Sequence, residues 1–439
     1  MTLTQANCQH LSIKNLLGLL ALLFFIAQPW DRHIADVLWL MTSLISLIYV
    51  SIKKYQGYSF IPQKPLKTLL WLFTLMPAVS IISYLASPLD TLTPTTLEPD
   101  TRWLLMIPII FAMRDTHIGP KWILIMLSSY AISTFISATI ETNYLSDLWR
   151  RASGAENAVP YGMFNATIGL MLLTYFVSPF IKNLNTAHKG TTTLVRTGIF
   201  ILFLMASIAA FLSGTRAAIL LIPLVICLLY LISYNYKKAI ISIVIILAIG
   251  GSVAIDQKDS ALVKRMLTTP DKVLSYFEEN DRASKLRNQR LEQWKESWCI
   301  FTIHPILGTG PRSFKYAHQA YGGEGECDAT QYLKQGSYQA HSVYFNTLST
   351  LGLVGILAAL LLSLALISTG ISAFRQNDKT TKLGGSLLII AVSCHAINGL
   401  TLDMWFQNHM LNKNLLIIAL PLILIFSKSA THDDQHKPH

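Results

Sequence analysis

The stretch that decides the fold is VYFNTLSTLGLVGILAALLLSLALISTGISA, residues 343–373, which contains no charged side chain. An apolar run of about 20 residues is long enough to cross a hydrocarbon core about 30 Å thick. Similar runs recur along the chain, whose 439 residues are 52% hydrophobic and only 13% charged. This composition excludes an ordinary soluble globular protein and predicts an all-α polytopic membrane protein.

A window of about 20 residues, moved along the rest of the chain, finds about twelve apolar segments long enough to span a membrane. They centre on residues 16–30, 34–52, 67–88, 101–113, 119–140, 158–181, 196–213, 216–234, 238–255, 343–373, 383–400 and 410–427. No small-residue cleavage motif follows the first run, so we interpret it as a spanning helix and not as a removable signal peptide. The predicted organisation is a nine-helix bundle (1–255), a long polar segment (256–340), three further helices (341–428) and a tail (429–439).

The basic residues account for the formal charge of +11 and predict the topology. Lysines and arginines cluster in alternate loops, which the positive-inside rule places in the cytoplasm together with both termini. The opposite loops fit this assignment, since residues 87–100 contain three acidic residues and no basic one. The cytoplasmic clusters are Lys53, Lys54, Lys64 and Lys67; Arg114 and Lys121; Lys182, Lys189 and Arg196; Lys237 and Lys238; and Arg375, Lys379 and Lys382.

The long polar segment between the ninth and tenth predicted helices is expected to form a helical cap over the outer face. Residues 284–301 read as an amphipathic helix that His304-Pro305 ends, and residues 308–311 read as a turn. Its tryptophans suit the headgroup region of the membrane. The predicted apolar face is Leu291, Trp294, Trp298 and Phe301, opposed by Lys285, Gln289, Glu292 and Lys295. A second outer loop, residues 141–160, carries Arg150 and Arg151.

Arg216 is the first candidate for chemistry. It follows a short outer turn in Leu212-Ser-Gly-Thr-Arg-Ala-Ala218 and begins the returning helix. A positive charge at a helix N-terminus opposes the helix dipole, so this position favours a nearby anion. The alternative is an arginine that snorkels to the membrane interface.

Two further candidates lie on the outer side. Arg287, Arg290 and Trp294 fall on successive turns of the predicted cap helix, although a solvated face with Arg290 paired to a glutamate is the alternative. His341 stands at the outer mouth of the tenth helix, where an imidazole can contact both a lipid-borne substrate and water. A purely structural histidine is its alternative. Asp403 could orient an imidazole or contact sugar hydroxyls, but solvation is the simpler interpretation.

Several chemistries lack their motifs. The sequence contains no Walker A, CxxC, HExxH, GxSxG, DxD or EF-hand pattern, so a pump or a metal-dependent nucleotide-sugar transferase is not supported. The five cysteines are too scattered for a metal framework. Cys299 and Cys327 share the exported segment, so they are the pair that could form a bridge in an oxidising compartment.

The motifs themselves resemble those of the O-antigen ligase/polymerase superfamily. They are Arg290-Leu-Glu-Gln-Trp294, then His304-Pro-Ile-Leu-Gly-Thr-Gly310, then His341 with Gly352 and Gly355, and the Thr215-Arg216 step. Ser342 stands where the superfamily usually has asparagine, and Phe345 where it has leucine. The resemblance implies a GT-C-type fold and a periplasmic active site in the inner membrane of a Gram-negative bacterium, acting on undecaprenyl-diphosphate-linked glycans.

Within the superfamily, one long outer loop between the ninth and tenth helices is most similar to the lipopolysaccharide ligases. The implied reaction transfers O-antigen to lipid A–core without a metal or other cofactor, and without nucleic acid as a partner. His341 would be the general base, Arg216 and Arg290 would bind the diphosphate with help from Arg287 or Arg151, and Asp403, Ser342 and Trp294 would contact substrate. The alternatives are an O-antigen polymerase, a protein O-oligosaccharyltransferase and, less favoured because the charges collect at outer helix ends, a polyprenol-glycan transporter.

Overall fold

The helical character of the chain is confirmed over the residues that the structure describes. The computed structural model describes residues 3–58, 64–144, 151–178, 180, 189–218, 221–223, 289–321, 327, 339–403 and 408–427, and in these ranges it has helices and no strand. The predicted span at 238–255, most of that at 216–234, Arg150 and Arg287 lie outside the described residues.

Twelve α-helices lie within the described ranges. They are α1 (Leu3–Ala27), α2 (Arg32–Tyr55), α3 (Lys64–Leu85), α4 (Glu98–Asp115), α5 (Pro120–Tyr144), α6 (Ala158–Val177), α7 (Lys189–Leu212), α8 (Gln289–Ile303), α9 (Phe314–Tyr321), α10 (Val343–Phe374), α11 (Lys379–Asn398) and α12 (Asn408–Phe426). Seven of them are long and apolar enough to span a membrane, namely α2, α3, α5, α7, α10, α11 and α12. Each matches a predicted span, while the total of about twelve spans stays a prediction.

Helix α12 forms the centre of the bundle. In its most apolar window 94% of the residues are buried, whereas the corresponding figure for α2 is 33%. Between residues 34 and 48 the exposed side chains of α2 are all apolar, namely leucines, isoleucines, Val37 and Met41, as expected for a face that contacts lipid tails. Because a central helix has protein on every side, α12 can carry polar residues such as Asn412 and Lys413 that lipid would not solvate.

Helix α10 is broken near its N-terminal end, and the turn after α8 supplies hydrogen-bond partners for the backbone groups that the break leaves open. Gly352 has φ +64°, which interrupts the helical hydrogen bonds. The backbone amides of Thr309 and Gly310 donate to the carbonyls of Ser349 and Thr350, at 3.1 and 2.9 Å. In return, the amides of Leu353 and Val354 donate to Pro305 and Ile306, at 2.9 and 3.2 Å. Unpaired backbone groups are costly inside a membrane, so this exchange is what makes the break tolerable.

Glycine is required where the two backbones meet. A Cβ atom on Gly308 would lie 2.4 Å from the carbonyl carbon of Thr350, and one on Gly352 would lie 2.4 Å from the carbonyl oxygen of Ile306. Both residues also have positive φ, a conformation that side chains disfavour. The glycines in the two sequence motifs therefore fix the position of the cap turn against α10.

Candidate active site

The cap helix α8 is anchored to the start of α10 by a tryptophan. The indole Nε1 of Trp294 donates to the carbonyl oxygen of Ala340 at 3.1 Å. Its ring stacks on Phe345, with centroids 5.1 Å apart and planes inclined by 12°. Because Arg290 lies one helical turn before Trp294, this contact brings the guanidinium towards His341, the residue that follows Ala340.

His341 is half-buried and held in an unusual backbone conformation. Its φ is +52°, in the left-handed region that non-glycine residues seldom adopt. Burial, reinforced by the positive charge of Arg290, lowers the pKa of the imidazole to about 4. The ring is therefore neutral at neutral pH, which is the state that can accept a proton.

The packing of α8 corrects one prediction. Its buried residues are Glu292, Gln293, Glu296, Ser297 and Ile300, whereas Trp298 is 54% exposed. The prediction that Glu292 lies on a polar face pointing away from the protein is therefore wrong. The polar edge faces inward because the cap supplies partners for it: Nδ1 of His318 lies 2.6 Å from Oε1 of Glu296, and this hydrogen bond raises the pKa of His318. Trp298 is left exposed, and its position in the headgroup region of a membrane stays a prediction.

Arg216 and Arg151 belong to a second group at the end of α7. Residues 213–215 form the predicted turn, with Gly214 at φ +62°, and Arg216 begins the returning helix. The Nε atom of Arg151 donates to the carbonyl oxygen of Ser213 at 2.6 Å, and its Nη2 atom donates to Oγ1 of Thr215 at 3.1 Å. Arg151 thus stabilises the turn that precedes Arg216. Its contact with a diphosphate stays a prediction.

The loop that carries Arg151 is itself fixed on two sides. The carboxylate of Glu141 accepts from the backbone amides of Ser153 and Gly154, both at 2.7 Å. Farther along, Nζ of Lys413 lies 2.7 Å from Oε1 of Glu156, with both side chains no more than 2% exposed. Paired charges with such partners are the form in which buried ions are tolerated.

A third group, which the motif analysis missed, surrounds Arg312. This residue follows the cap turn, has φ +56° and lies close enough to Asp100 and Asp403 to feel their charges. Burial lowers the pKa of Arg312 to about 10 in spite of those carboxylates, so the guanidinium stays protonated at neutral pH. Asp403 is only 2% exposed, so its interpretation as a solvated carboxylate is wrong. The only signal in the sequence was the position of Arg312 directly after the glycine turn.

The remaining candidates have defined places. Ser342 is buried, and its hydroxyl donates to the carbonyl oxygen of Gly399 at 3.1 Å, which ties the start of α10 to the end of α11. Its role as a substrate contact, like that of Trp294, stays a prediction. The structure thus brings Arg290 to His341, Arg151 to the turn before Arg216, and Asp403 to Arg312.

The cap is also fixed covalently. Cys299 of α8 and Cys327 form a disulfide, with their Cα atoms 5.9 Å apart. The sequence left this bridge open, because only an oxidising compartment would allow it. Such a compartment is what the predicted outer location of the cap provides.

Comparison with known proteins identifies a family. Residues 200–360 match the sequence model of the O-antigen ligase family. This range contains Arg216, Arg290, the cap turn, His341 and Gly352, so the match confirms the resemblance drawn from those motifs. The chain is also 25% identical to an uncharacterized protein of Haemophilus influenzae over 393 residues, which cover 88% of this chain and 92% of that protein.

Proposed function

We propose that the chain, whose residues 200–360 match the O-antigen ligase family, is a lipopolysaccharide O-antigen ligase of the bacterial inner membrane. It transfers the glycan of an undecaprenyl-diphosphate donor to a sugar hydroxyl of lipid A–core. The observation that carries this proposal is the neutral imidazole of His341 beside the guanidinium of Arg290 at the mouth of a membrane helix. One group can take a proton there, and the other can hold an anion.

The proposed reaction is a single displacement. The acceptor hydroxyl gives its proton to His341 while its oxygen forms a bond to the anomeric carbon. The bond from that carbon to the diphosphate oxygen breaks, and the diphosphate leaves with the electron pair. Attack opposite to the leaving group inverts the anomeric configuration.

Arg290 and Arg216 bind the diphosphate in this proposal. A guanidinium stays protonated and matches phosphate oxygens with paired donors, so it stabilises the charge that grows on the leaving group without a metal. A bound diphosphate also offsets the charge of Arg290 near the imidazole. The pKa of His341 should then rise from about 4 towards the working pH, where a general base is most effective.

The test is reconstitution of the purified protein with carrier-linked O-antigen and rough-type lipopolysaccharide, followed by electrophoresis of the lipopolysaccharide. The expected result is a ladder of extended lipopolysaccharide that forms equally well in the presence of EDTA. The His341→Ala variant, purified in the same way, is the control. A product that forms only when magnesium is restored would contradict the metal-free mechanism.

The same assay separates the alternatives. A polymerase would lengthen the carrier-linked glycan and leave lipopolysaccharide unchanged, and a protein O-oligosaccharyltransferase would need an exported protein as acceptor. Cells that lack the gene should accumulate polymer on the carrier lipid beside bare core. Core that carries a single repeat unit would instead identify a polymerase.

A further inference from the structure

A small cavity lies at the outer end of the bundle, beside the start of α10. Its volume is about 30 Å³, and the polar side chains that line it include Asp100, Arg312, Asn346 and Asp403. A space of that size holds about two water molecules, or one hydroxyl or hydroxymethyl group of a larger ligand. The cavity can therefore hold only one small group of a larger substrate.

Asn346 contributes an acceptor that nothing in the described chain satisfies. The side chain is 8% exposed, it lines the cavity, and its Oδ1 atom has no hydrogen-bond partner there. Leaving a buried polar atom unpaired is costly, so such an atom calls for an explanation. Asn346 lies in the first turn of α10, which begins at Val343, two residues after His341. A sugar whose hydroxyl fills the cavity is thus within reach of the imidazole.

The charges around the cavity select the kind of group that fits. Two carboxyl groups, Asp100 and Asp403, line the cavity with one guanidinium, Arg312, and burial raises the pKa of the Asp100 carboxyl, so the lining has no surplus of positive charge. A phosphate finds no unmatched cation there, whereas the O–H of a sugar can donate to a carboxyl or an amide oxygen. The lining of the cavity therefore suits a hydroxyl, whereas Arg290 and Arg216 are the groups proposed to bind the diphosphate.

We propose that this cavity is a subsite for a sugar hydroxyl, in which Asn346 accepts a hydrogen bond from the glycan that reacts at His341. The inference rests on the proposed glycosyl transfer and adds a specificity determinant to it. The sugar belongs either to the donor glycan or to the core acceptor, since both present hydroxyls near the reacting carbon and oxygen.

The experiment compares Asn346→Ala with Asn165→Ala in the reconstituted transfer assay. Asn165 is a matched control, because it is also buried with an unpaired Oδ1 atom but does not line the cavity. With Asn346→Ala, the KM for one substrate should rise roughly 3- to 10-fold, the loss expected for one hydrogen bond, while kcat changes little. The substrate whose KM rises, donor or acceptor, identifies the source of the sugar. Equal KM values for the two variants would overturn the subsite.

A series of monodeoxy substrates tests the wild-type protein without any substitution. One analogue should lose roughly 3- to 10-fold in kcat/KM with the wild type and show no further loss with Asn346→Ala. If every monodeoxy donor and acceptor reacts like its parent, the subsite is excluded although the transfer itself stands. Absence of transfer by the wild type with every acceptor would instead remove the proposed function.

Discussion

Two regions of the molecule, one around His341 and one beside the turn before Arg216, differ in how their charged groups are held. The first, which we call the catalytic mouth, consists of His341, Arg290 and Trp294. The second, the bracket, consists of Arg151, Glu156 and Lys413. In the mouth, Arg290 is exposed and His341 has a strained backbone. In the bracket, the lysine and glutamate are paired and almost fully buried.

In the proposed reaction, this difference separates the groups that contact substrate from those that maintain the local structure. A general base must be reached by the substrate, and its pKa must respond to its surroundings. His341 meets both needs, since it is only half-buried and lies near the charge of Arg290. A buried pair is rigid, since moving either partner would leave an uncompensated ion. We infer that the bracket orients the turn before Arg216, and that the mouth carries out the chemistry.

The largest effect is expected for His341→Ala. Loss of a general base should lower kcat by about 100-fold or more while the protein remains at its normal level in the membrane. The matched control is His117→Ala, because His117 also has a positive φ but lies at the exposed end of α4. Transfer rates near the wild-type value in the His341 variant would exclude it as the base.

Next in size is the break of the buried pair in the bracket. Lys413→Met should destabilise the protein by about 3–5 kcal/mol, because Glu156 is left buried without its partner. The double variant Lys413→Met with Glu156→Leu should regain most of that loss. Thermal unfolding of the purified proteins in detergent measures both. Equal melting temperatures for the single and double variants would mean that water reaches the site.

The disulfide of the cap should contribute somewhat less. Cys299→Ser opens a bridge between residues 28 apart in sequence, and such a loop closure is worth about 3 kcal/mol. The cap should become sensitive to protease while the membrane helices stay intact. Intact mass after alkylation under non-reducing conditions checks that the bridge forms: three of the five cysteines should be alkylated, and alkylation of all five would disprove it.

Arg151→Lys should cost about tenfold in transfer rate, the equivalent of one charge-assisted hydrogen bond. A lysine keeps the charge but cannot span the carbonyl oxygen of Ser213 and the hydroxyl of Thr215 together. Arg151→Gln should therefore be about as impaired as Arg151→Lys. If lysine restores nearly full activity, Arg151 serves through its charge and binds the diphosphate directly.

The smallest effect is a shift in pH dependence. Activity needs neutral His341, so kcat/KM should fall only as the pH drops towards its pKa of about 4. Arg290→Gln removes a positive charge that disfavours protonation, so the acid limb should move to higher pH. A pH profile of each variant, measured on the residual activity, shows the direction. An unchanged limb would place Arg290 too far from the imidazole to act on it.

Much of this arrangement was predictable from local sequence. Apolar length predicted the seven helices that are long and apolar enough to span a membrane, and glycine with proline predicted the cap turn and the end of α8. The prediction for the faces of α8 failed because a helix that packs against the protein through glutamates has the same periodicity as one that exposes them. The burial of Asp403 was missed for a similar reason, since a short polar loop does not reveal what covers it.

The sequence by itself determined the kind of molecule, the order of its helices and the short motifs that place Arg290 on the cap helix and His341 and Arg216 next to helix starts. Only the tertiary structure decided which of these groups meet. Lys413 and Glu156 form their ion pair although they are 257 positions apart in sequence. The hydroxyl of Ser83 donates a hydrogen bond to the carbonyl oxygen of Leu307, which is 224 positions away. Hydrophobic length and turn propensity act over a few residues, whereas such pairs depend on the packing of whole helices.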